Sequence, residues 1–462
     1  MEVDTLDIAE RHELALLEKQ RPMNAVIDLG TSPVQQFYKG TTIFLTGGSG
    51  FLGKQFMEKI FRSCDIERIY ILLRPKKGKT IAQRLTYILK DPLYDTLRKK
   101  KPNFANDIVP IEGDVADVNV IVHLAATVRF DEHLKKAGLI NVRGTREMLE
   151  LGKQCKNLKI FNHISTAFAH TTKSRIDNEV REQFYPTPVL PDTFIDLVEN
   201  MEEERLTEIT PGLIKGWPNT YTFTKAIAEE LFLLGCGIGV MHVLYLKRDN
   251  QFVITPVDYA NNAILAAGWD SVQNRKAIDS EVPIYIVGTA TSNFTWDELV
   301  KIITPKALYY VCAAHTSNPV VFWILTWLFH YIPGYFIDAI VNILGVRPKG
   351  LPSLVSIYSK TYKLCKVYEY FLFNNWKIRD DNLVSMMDRM APADQAIFGC
   401  NVYRARWSQG LRIWTEEDED PEVCPRGLCA AIQLPDIQRV PHHILGVLCH
   451  RTGLGVNKLL FL

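Results

Sequence analysis

The sequence has almost no net charge and no closely paired cysteines, and each absence argues against a class of protein. Its 53 lysines and arginines balance 52 aspartates and glutamates, so the formal net charge of +1 gives no reason to expect a nucleic-acid partner. Nine cysteines are scattered from Cys64 to Cys449 without a Cys-x-x-Cys pair, which argues against a disulfide framework and a zinc site. The first twenty residues are too charged for a secretory signal.

Short apolar runs alternate with amphipathic stretches from Thr41 to about Ile164, which is typical of a doubly wound sheet. At 462 residues the chain is long enough for two or three domains. We therefore predict an α/β fold, with a Rossmann-type doubly wound parallel sheet followed by a mainly helical, apolar C-terminal domain. The runs that predict buried strands are TTIFLT, IERIYILL, IVPI, VNVIVHLA and LKIFNHIST.

Two of these runs stand unusually close together, in the stretch IVPIEGDVADVNVIVHLAAT from Ile108 to Thr127. Parallel strands need a crossover connection of roughly a dozen residues or more. Only the six residues 112–117 separate Ile111 from Val118. The sequence thus predicts two parallel strands whose connection lacks the usual crossover element.

A glycine-rich loop joins a predicted strand to a predicted helix in TTIFLTGGSGFLGKQFMEKIF. Its glycines, Gly47, Gly48, Gly50 and Gly53, satisfy both G-x-G-x-x-G and G-x-x-G-x-x-G. Glycine allows a tight turn, a close approach of backbone to a pyrophosphate and close packing of helix on strand. The N–H groups at the helix start can then hold the anion. A plain glycine-rich turn is the alternative, but the strand–loop–helix context favours a dinucleotide site.

The next predicted strand ends in Arg74, about twenty residues past the loop. An acidic residue at this place would bind the ribose hydroxyls of NAD, whereas an arginine accommodates the 2′-phosphate of NADP. A solvated basic turn is the alternative reading of Arg74 and the neighbouring Lys76 and Lys77. The pattern favours NADP.

A tyrosine and a lysine, Tyr221 and Lys225, stand four residues apart on a predicted helix and therefore on one face of it. A nearby ammonium favours the phenolate of a tyrosine and brings its pKa closer to the working range of a proton donor. Upstream, Ser165 and Thr166 end a predicted strand, where a hydroxyl could bond a carbonyl oxygen as charge develops on it. An amphipathic helix explains the Tyr–Lys pair equally well by itself, but the order of the three motifs favours a catalytic set.

Two histidines, His163 and His170, flank the serine. They have no partners at the spacing of metal ligands, so we predict structural roles for them and no metal site.

An apolar segment from Thr316 to Ile337, TSNPVVFWILTWLFHYIPGYFI, carries no Asp, Glu, Lys or Arg and is long enough to span a bilayer. Pro333, Gly334 and His330 interrupt it, and Asp338 follows directly. A spanning helix, a buried helical hairpin and an interfacial element all stay open at this point, with membrane contact favoured.

These motifs together resemble the extended short-chain dehydrogenase/reductases and, within that class, the fatty acyl-CoA reductases. The similarity covers roughly residues 35 to 415. The apolar segment and the element after it, YEYFLFNNWKIRDDNL, strengthen the resemblance. The motifs that carry it are FLTGGSGFLGK, IYILLRPKKG, AATVRFDE, NVRGT, HISTAFAH, YTFTKAIAEE, PVDYANNAI and FTWDEL.

The resemblance implies NADPH-dependent reduction of a long-chain fatty acyl-CoA to a fatty alcohol and free CoA. It implies that Ser165 positions the carbonyl, that Tyr221 donates the proton, and that Lys225 binds the nicotinamide ribose and tunes Tyr221. The residues that it places at the cofactor are Thr46, Gly47, Gly50, Phe51, Leu52, Gly53, Arg74, Asp114, Val115, Ala125, Ala126, Thr127 and Lys225.

The resemblance also implies a membrane-associated protein of the endoplasmic reticulum or the peroxisome, with its reductase domain facing the cytosol. It predicts no oligomeric state. The expected domains are an N-terminal leader over 1–38, an NADPH-binding reductase domain over 39–305, a helical C-terminal domain over 306–418 and a divergent tail over 419–462.

The chain departs from the family pattern at several places. A helical crossover is missing before VNVIVH, and the strand ending in Arg-Pro with its long loop is missing after Lys225. His170 stands where the family usually has asparagine. We therefore hypothesise that the chain carries internal deletions relative to a working reductase. Two alternatives stay open: another extended reductase, acting on sterols or nucleotide sugars, and a non-catalytic lipid- or cofactor-binding member.

Overall fold

The computed structural model divides the chain into two compact units. The first comprises residues 1–225, 253–292 and 376–405, and the second comprises residues 226–252, 293–375 and 406–462. The linear domain boundaries expected from the sequence stay predictions. The structure describes residues 23–74, 78–111, 118–127, 129, 132–169, 171–183, 189, 191–215, 217–220, 243–245, 255–274, 283–287, 295, 314–345 and 352–400.

A five-stranded parallel sheet organises the first unit, and its spatial order is β3-β2-β1-β4-β5. The chain order reverses between β1 and β4, which makes this gap the switch point of the sheet. Each predicted apolar run contains one of the strands, so the doubly wound parallel sheet is confirmed. The strands are β1 Thr42–Thr46, β2 Arg68–Leu72, β3 Ile108–Pro110, β4 Val120–His123 and β5 Ile160–His163.

Helices cover this sheet. α1 begins with a capping box, in which the Ser32 hydroxyl and the Gln35 side chain each accept the other residue's backbone N–H. The first-unit helices up to residue 273 are α1 Pro33–Tyr38, α2 Phe51–Ser63, α3 Ile81–Leu89, α4 Asp95–Lys100, α5 Leu134–Ala137, α6 Gly144–Gln154, α7 Pro191–Asn200, α8 Glu203–Leu213 and α9 Val257–Gln273. Short 3₁₀ turns occupy Pro92–Tyr94, Phe104–Asp107 and Lys173–Arg175, and a π-turn occupies Gly138–Arg143.

The first face of the sheet is fully covered. Alternation along a strand sends Ile43 and Leu45 of β1, with Ile69 and Ile71 of β2, to this face, and each is 0% exposed. α2 and α9 pack over them and contribute to one continuous hydrophobic core. This core includes the largest apolar cluster among the described residues.

The second face is covered unevenly. Over β1 and β4, Phe44 and Ile121 pack against Met148 of α6 and are buried. Over β2, Tyr70 is only half-buried and Leu72 is 43% exposed. Interior strands of a parallel sheet are normally buried on both faces, so β2 lacks the cover expected of its position.

The connection from β3 to β4 is short for the distance that it spans. The two strands lie three strand spacings apart, about 14 Å. The N–H of Ile111 donates to the Ile71 carbonyl at 3.1 Å, and the N–H of Asn119 donates to the Thr42 carbonyl at 2.9 Å. An extended chain from Ile111 to Val118 reaches about 24 Å, enough to join these points but too little chain for a crossover helix.

A pair of antiparallel helices forms the described part of the second unit. One helix runs without a break through α10 Pro319–Thr326, a π-turn at Trp327–Tyr331 and α11 Ile332–Ile343. We call this element, Pro319–Ile343, the apolar helix. It packs against α12 Leu354–Phe373, and two short parallel strands, β7 Val243–Tyr245 and β8 Ala314–Thr316, lie beside α10.

The chain then returns to complete the first unit. β9 Lys377–Ile378 pairs in parallel with β6 Glu179–Val180, about 200 residues earlier. The Glu182 carboxylate accepts backbone N–H groups from Ile286 at 2.7 Å, Leu383 at 3.3 Å and Asn382. The returning helices, α13 Asp381–Arg389 and α14 Pro392–Phe398, pack their apolar side chains into the main core.

Candidate cofactor-binding site

The glycine loop lies at the carboxyl end of β1, directly at the switch point of the sheet. Gly47 has φ +73°, and a Cβ there would come within 2.7 Å of the Leu124 carbonyl carbon and 2.8 Å of the Ala125 nitrogen. A Cβ on Gly53 would lie 2.5 Å from the Gly47 carbonyl oxygen. Two glycines are therefore required by the packing of the loop against the chain that follows β4 and against the start of α2.

The start of α2 is open to an anion. Gly50 is its N-cap residue, and no side chain caps the helix. The N–H of Gly50 donates to the Gly47 carbonyl at 2.9 Å, which closes the loop and leaves the following N–H groups, at Phe51, Leu52 and Gly53, without an intrahelical acceptor. A glycine-walled loop with outward N–H groups fits a pyrophosphate. The residues present therefore fit a dinucleotide.

The chain after β4 forms the other side of this switch point. Ala125 donates its N–H to Thr46 Oγ1 at 3.1 Å, and Ala125 and Ala126 are both partly exposed. Thr127 is buried; its N–H donates to Asn141 Oδ1 at 2.8 Å and its hydroxyl donates to Glu132 Oε2 at 3.0 Å. The structure thus brings Thr46, the glycine loop and these two alanines together, while the Thr127 side chain is engaged internally.

A directional chain of hydrogen bonds fixes this arrangement. The hydroxyl of Thr145 donates to the Asn141 carbonyl at 2.7 Å, so at 3.1 Å it must accept from His123 Nε2. His123 Nδ1 then carries no proton and accepts from the hydroxyl of Thr46 at 2.7 Å. We assign this tautomer from the partners.

His123 is neutral in this network. It is 3% exposed, and burial, with the neighbouring His163 as the second cause, lowers its pKa to about 4. The His163 ring stacks on it with centroids 5.4 Å apart. A second ring proton, on Nδ1, would break the bond that the Thr46 hydroxyl now donates to this nitrogen. The structural role predicted for His163 fits this contact.

Sequence reasoning missed His123 and Asn141. The signal for His123 was available, since one polar residue stands in the otherwise apolar strand VNVIVHLA. Asn141 lies in the π-turn Gly138–Arg143, and π-turns are often found at functional sites. No pattern in the sequence predicts that turn.

Arg74 follows β2, the neighbour of β1, at the same edge of the sheet, and its side chain is exposed. Arg84 of α3 donates to the Arg74 carbonyl and so holds the backbone of this turn. The structure therefore adds a second cation near Arg74 that the sequence did not suggest. Lys76 and Lys77 lie outside the described residues.

Ser165 stands two residues beyond β5 and is exposed. Within the described part of the chain its hydroxyl has no hydrogen-bond partner, whereas the Thr166 hydroxyl accepts the N–H of Phe168 at 3.2 Å. Of the two hydroxyls at this strand end, Ser165 is thus the one available to a substrate.

The segment that leads to Tyr221 is held beside these strand ends. Trp217 Nε1 donates to the Ala169 carbonyl at 2.9 Å, and Thr220 Oγ1 donates to the Glu132 carbonyl at 2.9 Å. Among the predicted site residues, those outside the described part of the chain are Tyr221, Lys225, Asp114 and Val115; the flanking His170 also lies outside it. Their roles stay predictions. No group of three or more metal-ligating side chains occurs among the described residues.

Comparison with known proteins gives two family matches. A family model described as "Male sterility protein", an NAD-binding model, matches residues 45–119 and 115–233, and a second with the same description matches residues 329–412. The first match is in two parts that meet at residues 115–119, where the β3–β4 connection is short.

Individual proteins agree with the family matches. "Fatty acyl-CoA reductase wat" of Drosophila melanogaster is 32% identical, over 86% of this chain and 88% of that protein. "Fatty acyl-CoA reductase 1" of Mus musculus is 29% identical, over 81% of this chain and 83% of that protein. The R domain from the myxalamid PKS-NRPS pathway has a TM-score of 0.46 at 18% identity, over 80% of this chain and 91% of that one, a likeness too distant to bear on function. From its identity to the Drosophila protein and its coverage of it, this chain belongs to the fatty acyl-CoA reductase family.

Proposed function

We propose that this chain is an NADPH-dependent reductase that converts a long-chain fatty acyl-CoA to a fatty alcohol and free CoA. The observation that carries the proposal is the glycine loop from Gly47 to Gly53, placed at the switch point of a parallel sheet in a chain of this family. The partly exposed alanines after β4 and the Ser165 hydroxyl, which has no hydrogen-bond partner among the described residues, support a site at the same edge.

When bound, one NADPH would supply a hydride to the thioester carbonyl carbon, and a second NADPH, bound after NADP⁺ has left, would supply a hydride to the aldehyde that follows. Ser165 donates a hydrogen bond to the carbonyl oxygen, on which negative charge develops. Tyr221 gives its phenolic proton to that oxygen, and the Lys225 ammonium stabilises the phenolate left behind. The tetrahedral hemithioacetal then breaks its carbon–sulfur bond and releases CoA as the thiol.

The preference for NADPH over NADH rests on Arg74. Its exposed guanidinium follows the strand beside β1, where the adenosine ribose of a bound dinucleotide lies, and Arg84 adds positive charge nearby. Arg74→Ala should therefore weaken NADPH binding at least about tenfold and leave NADH binding nearly unchanged. Arg205→Ala on α8, an exposed arginine elsewhere in the unit, is the matched control. Equal loss for the two cofactors would contradict the assignment.

Membrane contact belongs to the proposal as well. The apolar helix has 25 residues, and only 22% of its most apolar stretch of 18 residues is buried. Association with the endoplasmic reticulum or the peroxisome, with the reductase unit facing the cytosol, fits a site that draws NADPH from the cytosol and acyl chains from a membrane.

The test is expression of the full chain in membranes, with NADPH and palmitoyl-CoA supplied and hexadecanol measured. Tyr221→Phe should abolish alcohol formation without changing expression. The short β3–β4 connection favours a second candidate, a member that binds cofactor but does not turn over. NADPH binding by a folded chain with no alcohol in any variant would support that candidate.

A further inference from the structure

One row of the apolar helix is buried against α12. Phe322 stacks on Tyr362 with ring centroids 5.4 Å apart, and His330 stacks on Tyr358 at 4.8 Å. Asp338, at the end of the row, accepts the first N–H groups of α12, from Leu354 and Val355, at 3.0 Å each. The members of this row recur every fourth residue: Phe322, Thr326, His330, Gly334 and Asp338.

The opposite row is the most exposed surface of the helix and contains no polar side chain. Its members also recur every fourth residue and are 50% to 63% exposed: Val320, Ile324, Leu328, Ile332 and Phe336. On a regular α-helix such a row drifts by about 40° per step. The π-turn at Trp327–Tyr331 has more residues per turn and offsets part of this drift, so the row stays nearly straight.

A third row, between these two, is an aromatic ladder. Trp323, Trp327, Tyr331 and Tyr335 follow one another with centroid distances of 6.1, 5.0 and 6.5 Å. Trp and Tyr prefer the level of the lipid headgroups, where the ring is half apolar and the N–H or O–H is wet. A spanning helix places such residues at its two ends, whereas a row along the axis shares one depth only when the axis lies parallel to the membrane.

The partner helix argues against a crossing. Because α12 runs antiparallel to the apolar helix, a crossing would carry α12 into the hydrocarbon as well. Lys360 and Lys363 of α12 are exposed, and they stand about 9 and 14 Å from its first residue. These depths lie near the middle of a hydrocarbon layer roughly 30 Å thick, where a lysine is costly.

We propose that the apolar helix binds a bilayer in the plane of its interface, with the Val320–Phe336 row among the acyl chains and the aromatic ladder at the headgroups, and that it does not cross. The proposal rests on the membrane contact included in the proposed function and specifies its geometry. Both ends of the helix then lie on the same side of the membrane.

The first test is the sidedness of the two helix ends. Single cysteines replace Ser317 and Leu344, both exposed, in the full chain made in sealed microsomes and treated with a membrane-impermeant maleimide. The two cysteines should be labelled to the same extent as each other, both before and after detergent is added. Labelling of one end only before detergent would overturn the proposal. The background chain carries serine at Cys236, Cys312, Cys424, Cys429 and Cys449 and keeps the four buried cysteines.

The second test distinguishes membrane binding by the Val320–Phe336 row from nonspecific binding by other exposed apolar residues. Leu328→Lys should lower binding of the purified chain to phosphatidylcholine vesicles at least about tenfold, because it places a charge in the acyl layer. Leu29→Lys, the same change at a leucine 70% exposed in the first unit, should leave binding unchanged. Equal binding by both variants would overturn the proposal, as would a soluble dimer that Leu328→Lys splits, since a second copy would then cover the row.

The two proposals fail separately. Alcohol formation by a chain that does not bind vesicles would reject the membrane geometry but support the proposed reductase activity. Vesicle binding with same-side labelling, but no alcohol in any membrane, would reject the reductase and keep the geometry.

Discussion

The two halves of the parallel sheet differ in how the second face is covered. In the β1–β4 half, both faces are buried and the strand ends are joined by the network from Ala125 through Thr46 to His123. In the β2–β3 half, the first face is buried but Tyr70 and Leu72 are open on the second. The comparison teaches that the β2–β3 half keeps a regular parallel register although its second face is less covered.

The largest effect is expected when two aromatic side chains at paired positions of β1 and β2, Phe44 and Tyr70, are truncated one at a time and the two losses of stability are compared. Phe44→Ala should cost about 3–5 kcal/mol of unfolding free energy, because Phe44 is 3% exposed and leaves a cavity. Tyr70→Ala should cost only about 1–2 kcal/mol, because its side chain is only partly buried. Urea unfolding measures both, and equal losses would mean that the β2 face is covered after all.

The next effect is the pH dependence of the network at His123. The pKa of His123 is about 4 in the folded chain and about 6.5 in the unfolded chain. As pH falls below about 6.5, the unfolded chain therefore binds a proton that the folded chain does not bind. Unfolding free energy should therefore fall by about 3 kcal/mol between pH 6.5 and 4 from this residue. His123→Gln should flatten that part of the profile. Unfolding curves measured at several pH values test this, and an unchanged slope in the variant would reject the neutral assignment.

A gain of somewhat smaller size should follow from inserting a crossover element between β3 and β4. Replacing residues 112–117 with a crossover segment of roughly twenty residues that forms a helix should bury Tyr70 and Leu72 and raise unfolding free energy by about 2 kcal/mol. Hydrogen exchange at β2 should slow in parallel. A chimera that folds while hydrogen exchange at β2 stays as fast as before would show that the inserted segment lies elsewhere.

The smallest effect is expected at Leu72 itself. Leu72→Gln should change stability by no more than about 0.5 kcal/mol, because the side chain is 43% exposed. Its neighbour Ile71→Ala, on the buried face of the same strand, should cost about 2–5 kcal/mol and is the control. A large loss at Leu72 would contradict the one-sided burial of β2.

The elements that depend on local pattern were predictable, and those that depend on distant partners were not. The five strands, the glycine loop and the parallel arrangement follow from apolar runs and from glycine chemistry, and the sheet confirms them. The His123 network forms only when three separate segments come into contact, and no periodicity in the sequence predicts that contact. The π-turns likewise arise from packing, since GLINVR and WLFHY have no distinguishing composition.

The apolar segment shows where composition stops being informative. Its length and lack of charge left spanning, buried and interfacial elements open. The structure adds the row facing α12, which needs the position of a partner helix, and the aromatic ladder, which needs the helix to continue through the π-turn. Pro333, which reads as an interruption in the sequence, lies inside the continuous helix directly after the π-turn at Trp327–Tyr331, so the two irregularities fall in one stretch of it.

The bond between Ser32 and Asp394 has a consequence for how the protein is made. Asp394 accepts from the Ser32 hydroxyl and from the Val34 N–H at 3.0 Å, so the beginning of the first unit is closed by one of its last helices. A ribosome releases the chain in order, and the apolar helix emerges roughly 50–75 residues before Asp394, several seconds earlier at about 5–20 residues per second. Each newly made copy therefore exposes the Val320–Phe336 row before the contact between Ser32 and Asp394 can close its first unit.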